Sequence, residues 1–152
     1  MKKFLRWTAV LAVVLVAVSC EKNKELPESL LDVTANNISG VWKLTEWSGH
    51  AMEEGMYVYI EFTRRDQRFT LYQNQDSFLA RKIEGYYNIT TDEELGAVIR
   101  GQYDYNGDWR HRYAIRDLTA KSMTWIATDN PADVSHYERC EAVPDEIKGE
   151  VK

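Results

Sequence analysis

Short segments rich in β-branched and aromatic residues follow one another along most of this chain, and they constrain its fold more than any other feature. Eight such candidate strands cover residues 39–48, 56–64, 67–73, 78–89, 95–105, 109–117, 121–128 and 133–141. Asn, Asp, Gly, Thr and Pro separate them, and no helical pattern of ten or more residues interrupts the series. Eight strands joined by tight turns predict an all-β domain, an eight-stranded up-and-down antiparallel β-barrel, because closure of the sheet removes its exposed edges.

The pair Asn106-Gly107 is typical of a hairpin turn between the fifth and sixth candidate strands. A plain two-residue loop would place Trp109 opposite Asp104, which mixes charged and aromatic side chains on both faces. Absorbing Asp108 into the turn instead places Asp104 opposite Arg110. That register gathers on the other face Ile99, Tyr103, Tyr105, Trp109, His111, Tyr113 and Ile115. Because burial of each large side chain contributes roughly 1.5–3 kcal/mol, more than the preference between turn types, we predict the shifted register.

The N-terminal segment predicts where the protein resides. Three basic residues within residues 2–6 precede an apolar run over residues 9–18, which Ser19 and Cys20 follow, and this is the order of a secretory signal. The cysteine after this run resembles the lipobox of bacterial lipoproteins. We therefore expect residues 1–19 to be a lipoprotein signal peptide and Cys20 to carry the lipid. The protein would then be anchored to the membrane of the cell envelope, at the outer membrane on its periplasmic or surface-facing side.

Two alternatives stay open at this end of the chain. A retained membrane span needs about 20 apolar residues, whereas only ten uninterrupted ones lie in residues 9–18. An ordinary cleaved signal shares the small-residue cleavage pattern and would leave Cys20 as a free thiol.

The cysteine count and the charge limit the classes of function. Lipid on Cys20 would leave Cys140 as the second of two cysteines, so we expect no internal disulfide and a buried, inert thiol at Cys140. Three of the 19 basic residues lie in the signal, which leaves 16 against 24 acidic residues. This balance argues against a nucleic-acid partner, which requires clustered Lys and Arg.

The mature chain divides into three parts. Residues 20–35 are a polar tether with a short apolar capping segment, and residues 36–142 form the barrel domain. Residues 143–152 are rich in charged side chains and are predicted to be a flexible tail.

Gly40-Val41-Trp42 opens the first candidate strand, and Arg139 lies near the end of the last one. Together with the strand count, this pair resembles the signature of the lipocalins, and residues 36–142 resemble the small lipocalin-like lipoproteins of the Bacteroidetes. The resemblance implies that Gly40, Trp42 and Arg139 form a structural plug, with the arginine lying across the tryptophan at the closed end of the barrel. A guanidinium stacked on an indole contributes about 0.5–2 kcal/mol and can donate to nearby carbonyls. Unlike the larger lipocalins, this sequence is expected to have no helix packed outside the barrel.

Several aromatic residues of the later strands are candidates for lining a ligand cavity. They are Tyr103, Tyr105, Trp109, Tyr113 and Trp125, with His111 as a polar residue on the same mostly apolar face. Small eight-stranded barrels either hold one small ligand or fill their interior with side chains, and both alternatives stay open. The loop at residues 49–55 would lie at the open end of a lipocalin, as a lid or as a solvated connection.

The residue pattern provides little support for chemistry. His50, His111 and His136 show no local spacing of metal ligands, so we expect neither a metal nor another cofactor. Adjacent carboxylates occur in predicted loops and in the tail, and the sequence has no nucleophile elbow, phosphate loop or dinucleotide fingerprint. We therefore expect no enzyme activity, unless His111 and His136 converge with a carboxylate at the barrel mouth.

The sequence favours a lipid-anchored envelope lipoprotein whose barrel binds a small hydrophobic or amphipathic ligand. The alternative is a filled barrel that acts through its outer surface as an accessory subunit of an envelope protein complex. The two hypotheses differ in whether the aromatic residues enclose a void, and the fold by itself does not decide between them.

Overall fold

A computed structural model describes residues 27–75 and 79–150 of the chain. The predicted signal peptide, Cys20 and the first part of the tether lie outside the described residues, as do the last two residues of the predicted tail.

Antiparallel strands make up most of the described chain. They are β1 (Gly40–Trp47), β2 (His50–Ala51), β3 (Val58–Thr63), β4 (Arg68–Gln73), β5 (Arg81–Asp92), β6 (Gly96–Tyr103), β7 (Tyr113–Arg116), β8 (Ser122–Ala127) and β9 (Asn130–Cys140), with helices α1 (Ala35–Ile38) and α2 (Asp145–Glu150). From β3 to β9 each strand pairs with the next, β1 pairs with β3, and β9 pairs back with β1. The predicted all-β, eight-stranded antiparallel barrel is therefore confirmed.

The short strand β2 is an addition to the eight predicted strands. Ser48 and Gly49 have φ angles of 50° and 81°, which are the positive values that a two-residue hairpin turn requires. This turn pairs Trp47 with His50, so the chain folds back along β1 before it enters β3.

Alternating side chains of the barrel strands point inward and form one core. The most deeply buried are Trp42, Phe62, Phe69, Ile99 and Met123, each at most 2 % exposed. This alternation is the period-two pattern expected of strands with one buried face, and it leaves the outward face of each strand to solvent or to other parts of the chain.

Trp42 closes one end of the barrel beneath helix α1. Its indole is fully buried and donates to the Ile38 carbonyl at 2.8 Å. The Arg139 guanidinium lies 4.1 Å from the centre of the indole ring. Gly40 makes room for it, because a Cβ at this position would lie 2.8 Å from Arg139 Nη1 and the φ angle is 115°. The structure therefore brings Gly40, Trp42 and Arg139 into one contact at this end.

The end of the chain packs on the outside of the barrel. Val143 and Ile147 are 2 % and 8 % exposed. They cover an outward-facing apolar patch made of Val41, Tyr59 and Tyr72. Part of the predicted tail is thus packed against the barrel in the structure. The expectation that no helix packs outside the barrel is wrong, because α2 lies there. The cause is the apolar outer surface of β1, β3 and β4, since burying it stabilises the contact.

The hairpin between β6 and β7 has neither of the two registers considered from the sequence. Ile99 pairs with Tyr113, a different partner from the one predicted. The prediction that Asp104 lies opposite Arg110 is wrong, because Asp104 lies in the turn and forms an ion pair with Arg68.

Gly101 and Trp109 explain this difference in register. The Trp109 amide donates to the Gly101 carbonyl at 2.8 Å, and the indole lies against the glycine, where a Cβ would be 2.1 Å from Trp109 Cε2. The chain then leaves the ladder over residues 109–112, and β7 begins only at Tyr113. The altered register keeps the predicted inward face of β6 and β7, because Ile99 and Ile115 are both buried in the core.

Candidate ligand-binding site

A cavity of about 360 Å³ lies inside the barrel, toward the end opposite Trp42. Its lining consists of Leu44, Trp47, Val58, Ile60, Leu71, Gln73, Gln75, Tyr103, Trp109, Arg110, His111, Tyr113, Trp125, Asp133, Ser135 and Tyr137. Five of the six predicted ligand-binding residues are among them, namely Tyr103, Trp109, His111, Tyr113 and Trp125. The barrel interior is therefore filled only in part.

Tyr105 is the predicted site residue that the structure places elsewhere. It lies in the turn that follows β6, beyond the paired part of the strand, and is 68 % exposed. Its ring stacks on Tyr103 with a centroid distance of 5.0 Å and an interplanar angle of 5°. The assignment of Tyr105 to the cavity wall is therefore wrong, because the turn begins earlier than the sequence register implied.

One wall of the cavity is a continuous group of aromatic rings around Trp125. Tyr137 lies 4.9 Å from its ring centre, Tyr113 lies 5.2 Å away and Trp109 lies 5.7 Å away. The rings are tilted against each other by 32° to 48°. Each ring is thus held by its neighbours, and the wall is largely pre-formed.

Two glycines allow large aromatic rings to lie against the strand backbone inside the barrel, because a Cβ at either position would collide with the ring. Trp109 lies against Gly101, and Phe69 lies against Gly85, where a Cβ would be 2.7 Å from Phe69 Cε1. The Phe69 and Trp109 rings meet edge to face with 5.0 Å between their centres. The Trp109 ring lines the cavity, and the Phe69 ring is buried in the core against it.

Polar side chains surround the mouth of the cavity. The Trp47 indole donates to Asp133 Oδ1 at 2.7 Å, and His111 Nδ1 lies 2.7 Å from Asp129 Oδ1. The hydrogen bond from His111 lowers the pKa of the Asp129 carboxyl. The mouth thus combines an aromatic edge with fixed hydrogen-bonding groups, as a site for a ligand with one polar end requires.

Two tyrosine hydroxyls lie deeper in the cavity. Burial, with a further contribution from the negative charge of Asp133, raises the pKa of Tyr113 to about 12. Burial raises the pKa of Tyr137 well above its usual range. Both hydroxyls therefore keep their protons at neutral pH and can act as hydrogen-bond donors to a ligand.

The three histidines occupy separate environments. His111 lines the cavity beside Asp129, whereas His136 Nδ1 lies 3.0 Å from Thr124 Oγ1. His50 contacts the carbonyl of Ser48 in the β1–β2 turn. The convergence of His111 and His136 that would favour catalysis is not what the structure shows. Within residues 27–75 and 79–150, no three His, Cys, Asp or Glu side chains group as a metal site would require.

The loop at residues 49–55 packs along β1 and does not line the cavity. It forms β2, and the Met52 amide donates to the Thr45 carbonyl at 3.1 Å. The Met52 side chain packs on the core. None of the residues that line the cavity comes from this loop.

Several lining residues were not singled out from the sequence. Leu44, Val58, Ile60 and Tyr137 occupy inward positions of their strands, so the alternation of apolar residues could have identified them. Trp47 and Asp133 carry no such signal, because they are 86 residues apart and meet only through the pairing of β1 with β9.

No known family model matches the chain, and no curated protein is significantly similar to it. In the described part of the chain, neither helix has the length and apolar character needed to cross a membrane.

Proposed function

We propose that this protein is a lipid-anchored envelope lipoprotein whose lipocalin-like barrel binds a small hydrophobic or amphipathic molecule. The observation that supports this most is the cavity of about 360 Å³ at the open end of the barrel, walled by aromatic rings. Its volume falls within the range of about 300–1,000 Å³ that is typical of small-molecule sites.

The composition of the wall favours a ligand with an apolar body. Leu44, Val58 and Ile60 line the cavity together with the aromatic group around Trp125. A ligand in contact with these side chains would lose part of its contact with water, and burial of apolar surface is the main favourable term in such binding. The polar mouth would hold a hydrophilic end of the same molecule.

The packing at the closed end of the barrel favours binding without a large conformational cost. Arg139 donates to the carbonyls of Asn37, Ser39 and Ala120 at 2.5–2.8 Å, which ties α1 and the β7–β8 connection to the closed end. A rigid barrel loses little conformational freedom when a ligand enters, and this increases affinity.

The anchor in the envelope is inferred from the N-terminal sequence. Cys20 follows an apolar run with a basic start. Residues 21–35, nine of them polar or charged, separate it from the barrel domain. We propose that the barrel binds its ligand without catalytic activity, since the sequence has no nucleophile elbow, phosphate loop or dinucleotide fingerprint.

Titration of the purified protein with N-phenyl-1-naphthylamine tests the binding function. This neutral fluorophore emits strongly in apolar surroundings, so we expect saturable enhancement with one site per chain. Leu71→Trp places a larger side chain in the cavity and should abolish the enhancement. Thr70→Trp, its neighbour on the outward face of β4, should leave it unchanged. Equal enhancement in both variants, each shown to be folded by its thermal transition, would contradict a site inside the barrel.

A further inference from the structure

We propose that the ligand of this cavity is an organic cation, an ammonium group on an apolar body, held by Asp133 at the mouth and by the aromatic wall inside. This inference rests on the proposed binding function and adds the chemical class of the ligand.

Asp133 is a carboxylate at the cavity entrance that can accept further hydrogen bonds or pair with a cation. It lies on β9, is half-buried, and is the one carboxylate among the described residues that line the cavity. Its Oδ1 accepts the indole N–H of Trp47 at 2.7 Å. Within the described ranges, no Lys or Arg forms an ion pair with Asp133. A half-buried carboxylate of this kind favours a cationic partner, because burial without a counter-charge is costly.

The second acidic group near the mouth is already satisfied. Asp129 contacts His111 at 2.7 Å and is mostly exposed. It belongs to a neighbouring outer depression that Asp108 and Arg112 also line. Asp133 therefore differs from Asp129 in both its partners and its position.

The aromatic wall is suited to a cation. The faces of aromatic rings carry partial negative charge, and an ammonium group within about 6 Å of a ring centre is attracted to it. The Trp125 ring centre lies 5.2 Å from that of Tyr113 and 4.9 Å from that of Tyr137, so these rings form one continuous aromatic surface. An ammonium group on the cavity side of this surface could lie within about 6 Å of more than one ring centre.

The charged side chains around the cavity also favour a positively charged ligand. Asp133 acts on both Tyr113 and Tyr137, where its negative charge adds to burial in raising the pKa of each hydroxyl. Within residues 27–75 and 79–150, Arg110 is the one Lys or Arg that lines the cavity. It opposes this effect at Tyr113 and is the weakest of the named influences there. Arg110 also lines the outer depression beside Asp108 and Asp129, and the negative charges of these aspartates partly offset its positive charge.

Three probes with the same ring and different charge test the inference. They are (2-naphthylmethyl)trimethylammonium, its neutral carbon isostere 2-neopentylnaphthalene, and 2-naphthylacetate. Each competes with N-phenyl-1-naphthylamine for the purified protein, and the affinities are compared. We expect the cation to bind at least about tenfold more tightly than the neutral isostere, and the anion to bind most weakly.

Asp133→Asn should remove this preference for the cation and leave the affinity for the neutral isostere unchanged. The substitution keeps an oxygen that can accept the Trp47 N–H. Asp129→Asn is the matched control at the neighbouring carboxylate and should retain the preference.

The outcomes separate the two proposals. If the neutral isostere binds as tightly as the cation, or if the anion binds best, the inference is wrong while the binding function stands. If neither the fluorophore nor any probe binds, the binding function itself is wrong. The comparison of probes on the unmodified protein decides the inference even if Asp133→Asn does not fold.

Discussion

The guanidinium of Arg139 lies 4.1 Å from the ring centre of Trp42, and the two residues are also paired across β1 and β9. The pairing of β1 with β9, which closes the barrel, therefore includes the two residues that fill its closed end. Arg139 Nη1 donates to the Ser39 carbonyl at 2.5 Å, and the indole of Trp42 donates to the Ile38 carbonyl at 2.8 Å. These bonds satisfy backbone groups at the end of α1 that would otherwise be left unpaired in the barrel.

Truncation of Trp42 should destabilise the domain severely. Trp42→Ala removes a fully buried ring and should lower the free energy of unfolding by about 3–5 kcal/mol. Trp47→Ala is the control, since Trp47 is 45 % exposed, and its cost should be about 1 kcal/mol. Urea denaturation of the two variants measures both values. Similar small losses would show that Trp42 does not seal the barrel.

The outer apolar patch beneath the C-terminal helix should contribute measurably to stability. Ile147→Ala removes a side chain that packs against Tyr59 and Tyr72 and should cost about 2 kcal/mol. Lys148→Ala, on the neighbouring half-exposed position, should change stability by less than about 0.5 kcal/mol. Limited proteolysis should cleave the chain after residue 142 more rapidly in Ile147→Ala. Equal cleavage in both variants would mean that the helix is not held by this contact.

The buried Tyr113 hydroxyl should make stability fall at alkaline pH. Burial raises its pKa to about 12 in the folded chain, whereas the unfolded value is about 10. The resulting stabilisation is fully present below pH about 10 and is lost as the pH rises toward 12, because the unfolded state ionises first. Its size is about 2 kcal/mol at most, since solvent partly screens the site.

Urea denaturation from pH 8 to pH 11.5 measures this effect. Tyr113→Phe should reduce the loss of stability across that range relative to the unmodified protein. Tyr105→Phe, at an exposed position, should retain the full loss. An identical slope for all three proteins would contradict a raised pKa at Tyr113.

Substitution of Cys20 tests the lipid anchor. Cys20→Ser should shift the protein from the membrane fraction of the producing bacterium to the soluble fraction, because no acyl chain can be attached to serine by this route. Cys140→Ser should stay in the membrane fraction. Detergent-phase partitioning together with intact mass distinguishes the lipid-modified form. Membrane association of both variants would favour a retained N-terminal span.

Much of the inward face of the barrel could be predicted from the sequence. Apolar residues alternate along β1 and β3, so Trp42, Leu44 and Ile60 could be assigned to the interior. The same reasoning placed Ile99 and Trp109 on one face, although their strands have a different register. The assignment of residues to the inward face stayed correct although the predicted register was wrong. A shift by an even number of residues leaves each side chain on the same side of the sheet.

The helix outside the barrel could not be predicted with the same means. The Val143 and Ile147 side chains stand alone among charged neighbours, and six helical residues are too few to show a period. Their burial depends on the outer surface of Val41 and Tyr59, which comes from strands about ninety residues earlier in the chain.

The sequence by itself determined that this chain forms an antiparallel β-barrel, because strand periodicity and turn residues are local properties that depend on near neighbours. Only the tertiary structure decided that the interior keeps a cavity and that Trp47 and Asp133 meet at its mouth. Because Gly101 has no Cβ, the Trp109 ring can lie against it. Strand β7 then pairs with β6 in a register that differs from the predicted one. Such effects depend on how side chains of distant strands share one volume, and no local pattern records that volume.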